Sequence, residues 1–367
     1  MTAKIIGIET AVPPLCVSQR EAYACAAQKI GIKPATLKWY DRFMSDKGIE
    51  TRYFALDHIS EILEESRDVI HERFRREAAR IGAEALRKVL SKAGIKPGDL
   101  DGLVTTTCTG YLCPGLSSYI SEALGLRADL FAMDLAGLGC GAALPALRAA
   151  DQYLALHPGS HVAVVSAEIC SAAIFWGDDI ELILSNSIFG DGAAACLMTN
   201  VPGAQGFSLT GFSSLLWPEH RDDLRFKTED GRLRNMISRS VPAVAAKAVA
   251  ELMADLKNRF PAGRWYAAVH PGGRMILDEI EKNVPALSGK LFRSREVLRR
   301  YGNMSSPSIL FVLKDILEKD CPEQDEAILL FAFGAGFSAY GAVLQTCASK
   351  QKRLVGIPAA AEELCHG

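Results

Sequence analysis

The chain has 367 residues, 49% of them hydrophobic and 23% charged, the profile of a globular protein with ample apolar mass for a core. A formal net charge of -2 supplies no global basic field for nucleic acid or an anionic membrane surface. No run reaches the roughly 18 apolar residues that a membrane-spanning helix needs, and "MTAKIIGIETAVPP" has no basic stretch before a long apolar one, so no signal peptide and a cytoplasmic location are expected.

In chain order, the basic stretch "RDVIHERFRREAAR" (67–80) reads as the wet face of a helix, and 76–94 continues a helical pattern. "DGLVTTT" (101–107) is a short β-rich run. "HVAVVSAE" (161–168) and "GAAACLMT" (192–199) are two more. The richest breaker region, roughly 201–235, divides the chain into two parts that look alike in outline. Beyond it, "WYAAVH" (265–270), "AILLFAFG" (327–334) and "YGAVLQT" (340–346) repeat the three earlier runs, with a helical pattern over 306–319. Strands alternating with helices predict an α/β fold with mostly parallel central strands covered on both faces. The likeness of the parts suggests internal duplication, with halves at 1–205 and 206–350 and a tail at 351–367.

Ten cysteines, at 16, 25, 108, 113, 140, 170, 196, 321, 347 and 365, form no C-x-x-C pair, so a disulfide framework is not expected. Cys108 and Cys113 lack histidines at zinc spacing. Cys140 is different. In "DLAGLGCGAALPALRAADQYLALH" (134–157) it stands between glycines, where a strand should turn into a helix. Orphan N–H groups and the helix dipole favour a thiolate there. The plainer reading is a small buried cysteine at a helix start. His270 ends an apolar strand and is followed by Pro-Gly-Gly, which opens space beside the ring at a sheet edge where ligand chemistry gathers. A lone histidine is otherwise most simply a core residue. Asn303, in "YGNMSS", reads by itself as a cap or turn residue. "IFGDG" (188–192) places Phe189 before a tight turn. "FGAGFS" (333–338) has a G-x-G but lacks the spacing, following helix and acid of a dinucleotide fingerprint, so NAD binding is rejected.

Together "GLGCGAALPALR", "VVSAEI", "IFGDGAAA", "HPGGRMILD", "YGNMSS" and "FGAGFS" resemble the thiolase superfamily, and within it the type III polyketide synthases related to chalcone and stilbene synthases. The resemblance runs over roughly residues 5–346. It implies a five-layered αβαβα sandwich of two duplicated halves, usually a homodimer. It places the catalytic cysteine, histidine and asparagine on Cys140, His270 and Asn303. It also implies a cavity touching Phe189, Cys108, Thr109, Cys170, Ala173, Met236, Gly272, Phe337 and Ser338. Lys47 matches the CoA-binding segment within "KWYDRFMSDKGIETRY" (38–53); Arg42 stands one position out of step with the family's arginine. A solvated helix face is the plain alternative for both. Cys113 falls where the family often has a methionine reaching the partner subunit.

The implied chemistry uses acyl-CoA and malonyl-CoA, with no organic cofactor or metal. A histidine-lowered Cys140 thiolate takes the starter acyl group. His270 and Asn303 stabilise the malonyl enolate as CO2 leaves. Condensation is repeated, and the chain cyclises to a pyrone, resorcinol or related product. Departures from the plant enzymes are the missing glycine-rich stretch after the cysteine, the absent second gatekeeper phenylalanine, and cysteines and alanine where the plant cavity has threonines. Long aliphatic starters and a malonyl-only starter both stay open. Alternatives are a single-extension ketoacyl-ACP synthase III-like enzyme, with an acyl carrier protein as donor, and a catalytically dead thiolase-fold scaffold. A thiolase or hydroxymethylglutaryl-CoA synthase fits less well, since "TTTCTG" offers no catalytic glutamate.

Overall fold

A computed structural model describes residues 2–29, 31–260, 263–323 and 326–346; Cys347, Cys365 and the expected tail at 351–367 lie outside the described residues. The strands are β1 (Lys4–Ala11), β2 (Leu15–Ser18), β3 (Thr51–Phe54), β4 (Gly102–Thr106), β5 (Phe131–Leu135), β6 (His161–Glu168), β7 (Gly192–Thr199), β8 (Phe207–Leu216), β9 (Leu224–Glu229), β10 (Arg232–Ile237), β11 (Trp265–Val269), β12 (Ala327–Gly334) and β13 (Ser338–Thr346). The α-helices are α1 (Gln19–Ala26), α2 (Pro34–Met44), α3 (Arg67–Ala93), α4 (Leu116–Leu124), α5 (Ala143–Leu156), α6 (Ile180–Ile188), α7 (Val241–Arg259), α8 (Arg274–Asn283), α9 (Phe292–Tyr301) and α10 (Ser308–Asp315).

Nine strands join in the order β11-β12-β13-β8-β1-β7-β6-β4-β5. The duplication is legible in this order. In one half β4 runs parallel to β6, which is antiparallel to β7, which is antiparallel to β1. In the other, β11 runs parallel to β12, which is antiparallel to β13, which is antiparallel to β8. The three pairs of similar runs in the sequence hold equivalent places: β4 with β11, β6 with β12, β7 with β13. β5 adds a further parallel strand beside β4. The expectation of mostly parallel strands is corrected, since three neighbouring pairs are parallel and five antiparallel. Continuous apolar strands report burial on both faces, and here the helix layers supply that burial whatever the strand direction.

The halves meet where Lys4 and Ile5 of β1 pair with Ser208 and Phe207 of β8. The sheet wraps around α5 and α10, whose Leu147, Ile309 and Leu310 pack in one core with Val104 and Val164 of one half and Ile328 and Leu330 of the other. α3 covers the outer face of the first half, and α7 and α8 that of the second. Each such fully buried leucine contributes about 1.5–3 kcal/mol. The result is helix, sheet, helix, sheet, helix. The ends of β4, β5, β6 and β11 lead into Cys108, the Cys140 turn, Cys170 and His270, and β12 ends at Gly334.

Candidate active site

Cys140 lies in a 3-10 turn, Gly139–Gly141, that leads from β5 towards α5. The turn is pressed backbone to backbone against the end of β12. A Cβ on Gly334 would stand 2.2 Å from the Leu138 carbonyl oxygen and 3.1 Å from the Cys140 nitrogen. Gly139 takes φ +60 with only 2.8 Å between its absent Cβ and the Ala335 nitrogen. This close approach explains the first glycine of "FGAGFS", Gly334, which serves packing of the nucleophile turn, while Gly336 takes φ +121 in the turn to β13.

The Cys140 Sγ accepts a hydrogen bond from Ser305 Oγ at 3.2 Å, and the same hydroxyl lies 3.2 Å from Cys108 Sγ. Burial pushes the Cys140 thiol up to about 12, against the pull of the Ser305 hydroxyl. Burial pushes the His270 imidazole down to about 3. The histidine-lowered thiolate expected from sequence draws no support from these directions, since His270 is not among the groups that shift Cys140. Desolvation disfavours both charged forms, the thiolate and the imidazolium. His270 is 1% exposed, and its Nδ1 has no hydrogen-bond partner among the described residues. Phe333 packs edge-on against the ring at 5.4 Å.

Asn303 is not a helix cap, since α10 is capped four residues later by Pro307. It forms an isolated β-bridge with Phe189, tying the two halves together. Its Oδ1 accepts from the Ser305 backbone N–H at 2.8 Å, and its Nδ2 donates to the Gly272 carbonyl at 3.2 Å. That fixes the amide and leaves its second N–H free to point at a ligand. Arg52, fully buried, donates to the Asn186 and Phe189 carbonyls at 2.8 and 2.7 Å and so braces the Phe189 segment.

Cys140, His270, Asn303, Phe189 and Gly272 share a cavity of about 450 Å³ that reaches the surface at Arg42 and the exposed Met275. Cys140 and Phe189 also wall a second, inner cavity of about 30 Å³ with Cys108, Thr109, Cys170 and Ala173. Met236, Phe337 and Ser338 line neither cavity. Met236 is flanked on β10 by Asn235 and Ile237, which do, and successive strand side chains point to opposite faces. Phe337 is stacked between Phe333 and Trp217, and Ser338 Oγ is turned to the Ala335 carbonyl. Cys113 is exposed in the loop after β4, beside the 75% exposed Tyr111.

Outside the larger cavity lies a groove of about 610 Å³ lined by Arg42, Lys47, Arg274, Arg295 and Arg299. Arg274 pairs with Asp46, Arg295 with Glu281, and Arg299 with Glu50 and Glu296. Arg42 stacks on Trp39, and no ion pair is formed by Arg42 or Lys47 among the described residues. These two are the cations best placed for an anionic ligand. Sequence reasoning missed the three groove arginines of α8 and α9, whose pattern reads as an ordinary solvated helix. It also missed Glu168, whose carboxylate accepts from Thr107, Cys108, Thr109 and Ser306 and so locks the cavity wall. No spacing rule joins those positions.

A nucleophile turn and a histidine–asparagine pair from opposite halves of a duplicated α/β fold, meeting at one apolar tunnel, define an acyl-transferring condensing enzyme. Residues 13–259 match the family model for FAE1/type III polyketide synthase-like proteins, and 213–348 match the C-terminal domain of chalcone and stilbene synthases. The chain is 31% identical over 359 residues to a 3,5-dihydroxyphenylacetyl-CoA synthase of Streptomyces toyocaensis, covering 93% of this chain and 90% of the relative. It is 29% identical to a phloroglucinol synthase of Pseudomonas fluorescens, over 76% of this chain and 79% of that one. Its fold superposes on 1,3,6,8-tetrahydroxynaphthalene synthase of Streptomyces coelicolor A3(2) with a TM-score of 0.86 at 23% identity, covering 94% and 100% of the two chains. The chain belongs to the type III polyketide synthases, which are acyltransferases.

Proposed function

We propose that this enzyme joins a starter acyl group, held as a thioester on Cys140, to malonyl-CoA by decarboxylative Claisen condensation, repeats the step and releases a cyclised product. The observation that carries the reading is the convergence of Cys140, His270 and Asn303 on one cavity. Neutral His270 accepts the Cys140 proton as the sulfur attacks the starter thioester, and CoA thiolate leaves, taking up a proton. Malonyl-CoA then enters. Its carboxylate departs as CO2, and the electrons of the broken C–C bond pass onto the thioester oxygen. The imidazole N–H and the free Asn303 N–H donate to that oxygen. One such donor accounts for about 3–4 kcal/mol of barrier lowering. The carbanion attacks the acyl carbon, Cys140 leaves as thiolate, and a β-ketoacyl-CoA results. CoA thioesters suffice; no other cofactor takes part.

Arg42 and Lys47 receive the CoA phosphates at the tunnel mouth; an acyl carrier protein as donor would use the same basic rim. The protein acts as a cytoplasmic homodimer, with the Cys113 loop against the partner subunit. Intact-mass spectrometry of wild type and Cys140→Ala with malonyl-CoA and starters from acetyl- to palmitoyl-CoA tests the reading. Acylation and multiply extended products from wild type alone are expected. A single-extension product moves the assignment to the ketoacyl synthase III class, and no acylation at all removes it.

A further inference from the structure

Asn235 on β10 is 7% exposed, and its Oδ1 is buried with no hydrogen-bond partner. It stands opposite Phe226 in the β9–β10 ribbon, and both line the inner cavity beside Cys140. The exposed Arg225 and the buried Ser185 also line it. Three further polar residues of the wall have donors committed to protein. Thr109 Oγ1 donates to Glu168 at 2.8 Å, Ser305 Oγ to Cys140, and Asn186 Nδ2 to Tyr40 and the Phe175 carbonyl. An unpaired buried amide is unfavourable for folding, and an apolar side chain of the same size would avoid that cost. The arrangement makes sense when a ligand supplies the missing partner.

We propose that Asn235 is a positioning residue that holds the enolised β-keto group of the growing acyl chain, and that the inner cavity therefore takes oxygen-rich, malonyl-derived chains in preference to unfunctionalised alkyl chains. This rests on the condensing reaction proposed above. A β-dicarbonyl in its enol form presents one carbonyl acceptor and one hydroxyl donor. A primary amide matches both, with Nδ2 donating to the carbonyl and Oδ1 accepting from the enol. An alkyl group in place of the β-keto unit would leave Oδ1 unpaired, although apolar neighbours such as Cys170, Ala173 and Phe189 line the same cavity.

The test compares wild type with Asn235→Leu, which removes polarity at nearly constant volume, and Asn235→Ala, which also enlarges the cavity. Three readouts are taken: Cys140 acylation by acetyl- and malonyl-CoA, the ratio of multiply to singly extended products, and thermal stability with and without acetylacetone, an enolising β-diketone. Both variants are expected to acylate as wild type does and to lower the extension ratio about tenfold, the value of one lost hydrogen bond. Asn235→Leu should also raise the unliganded melting temperature and abolish the stabilisation that acetylacetone gives wild type. Unchanged products and an unchanged acetylacetone shift in Asn235→Leu would overturn the assignment. So would a change confined to Asn235→Ala, which would make the position a matter of size alone. If no thioester acylates wild type but the acetylacetone difference persists, the condensing reaction falls while the Asn235 pairing stands.

Discussion

At the scale of residues, the burial of Cys140 and His270 governs how the site responds to pH. With Cys140 pushed up to about 12, its alkylation by iodoacetamide should climb steadily through the alkaline range with no plateau near neutrality. The Ser305 hydroxyl bond holds the thiol lower than burial alone would, so Ser305→Ala should displace that profile to still higher pH. Superimposable profiles would refute this role. His270 sets an acid limit on stability. Its folded value of about 3 lies below the unfolded value of about 6.5, so between them the unfolded chain binds the extra proton. Stability from this site is complete above about pH 6.5 and lost as pH falls towards 3, by up to about 1.4 kcal/mol per pH unit. Urea unfolding at about pH 7 and pH 5 should show wild type losing more than His270→Gln over that interval; equal losses would remove His270 from the explanation.

Among elements, the decisive contact is between the end of β12 and the turn before α5. Three backbone atoms of that turn lie within 3.1 Å of the place where a Gly334 side chain would stand. Gly334→Ala must push the Cys140 turn away from β12, at a stability cost of about 1–3 kcal/mol. The expected signature is acylation of Cys140 slowed by about tenfold or more while far-ultraviolet circular dichroism stays native, since a misplacement of about 1 Å at reacting atoms costs as much as 10²-fold. Acylation at the wild-type rate would show that the turn adapts freely. The Phe189–Asn303 bridge does for the other wall what Gly334 does for the nucleophile, joining a residue from each half directly.

For the whole molecule, net charge is nearly balanced, yet the tunnel mouth gathers five cations of which Arg42 and Lys47 form no ion pair among the described residues. Lys47→Glu should raise KM for malonyl-CoA about three- to tenfold with little change in kcat, and the effect should shrink as salt screens the groove. A malonyl thioester of pantetheine, lacking the nucleotide phosphates, should be almost indifferent to the substitution. Equal sensitivity of the two substrates would place the phosphates elsewhere.

Much of this molecule can be read along the chain, because its information is local. Short apolar runs bounded by turns mark the strands, and their repetition after residue 235 marks the duplication. The Cys140, His-Pro-Gly-Gly and Gly-Asn-Met-Ser-Ser segments carry their chemistry within a few residues. Strand direction was not legible, since a two-faced apolar strand has the same composition either way. The same holds for the ionisation of Cys140 and His270, which depends on how many atoms from distant segments exclude water from them. Glu168, the groove arginines and the unpaired Asn235 amide likewise acquire their roles from neighbours tens to hundreds of residues away. Residue type and spacing thus determined the class of chemistry. Only tertiary packing, by setting desolvation, register and close approach, decided the burial of the nucleophile, the shape of its two cavities and the polar group that meets the growing chain.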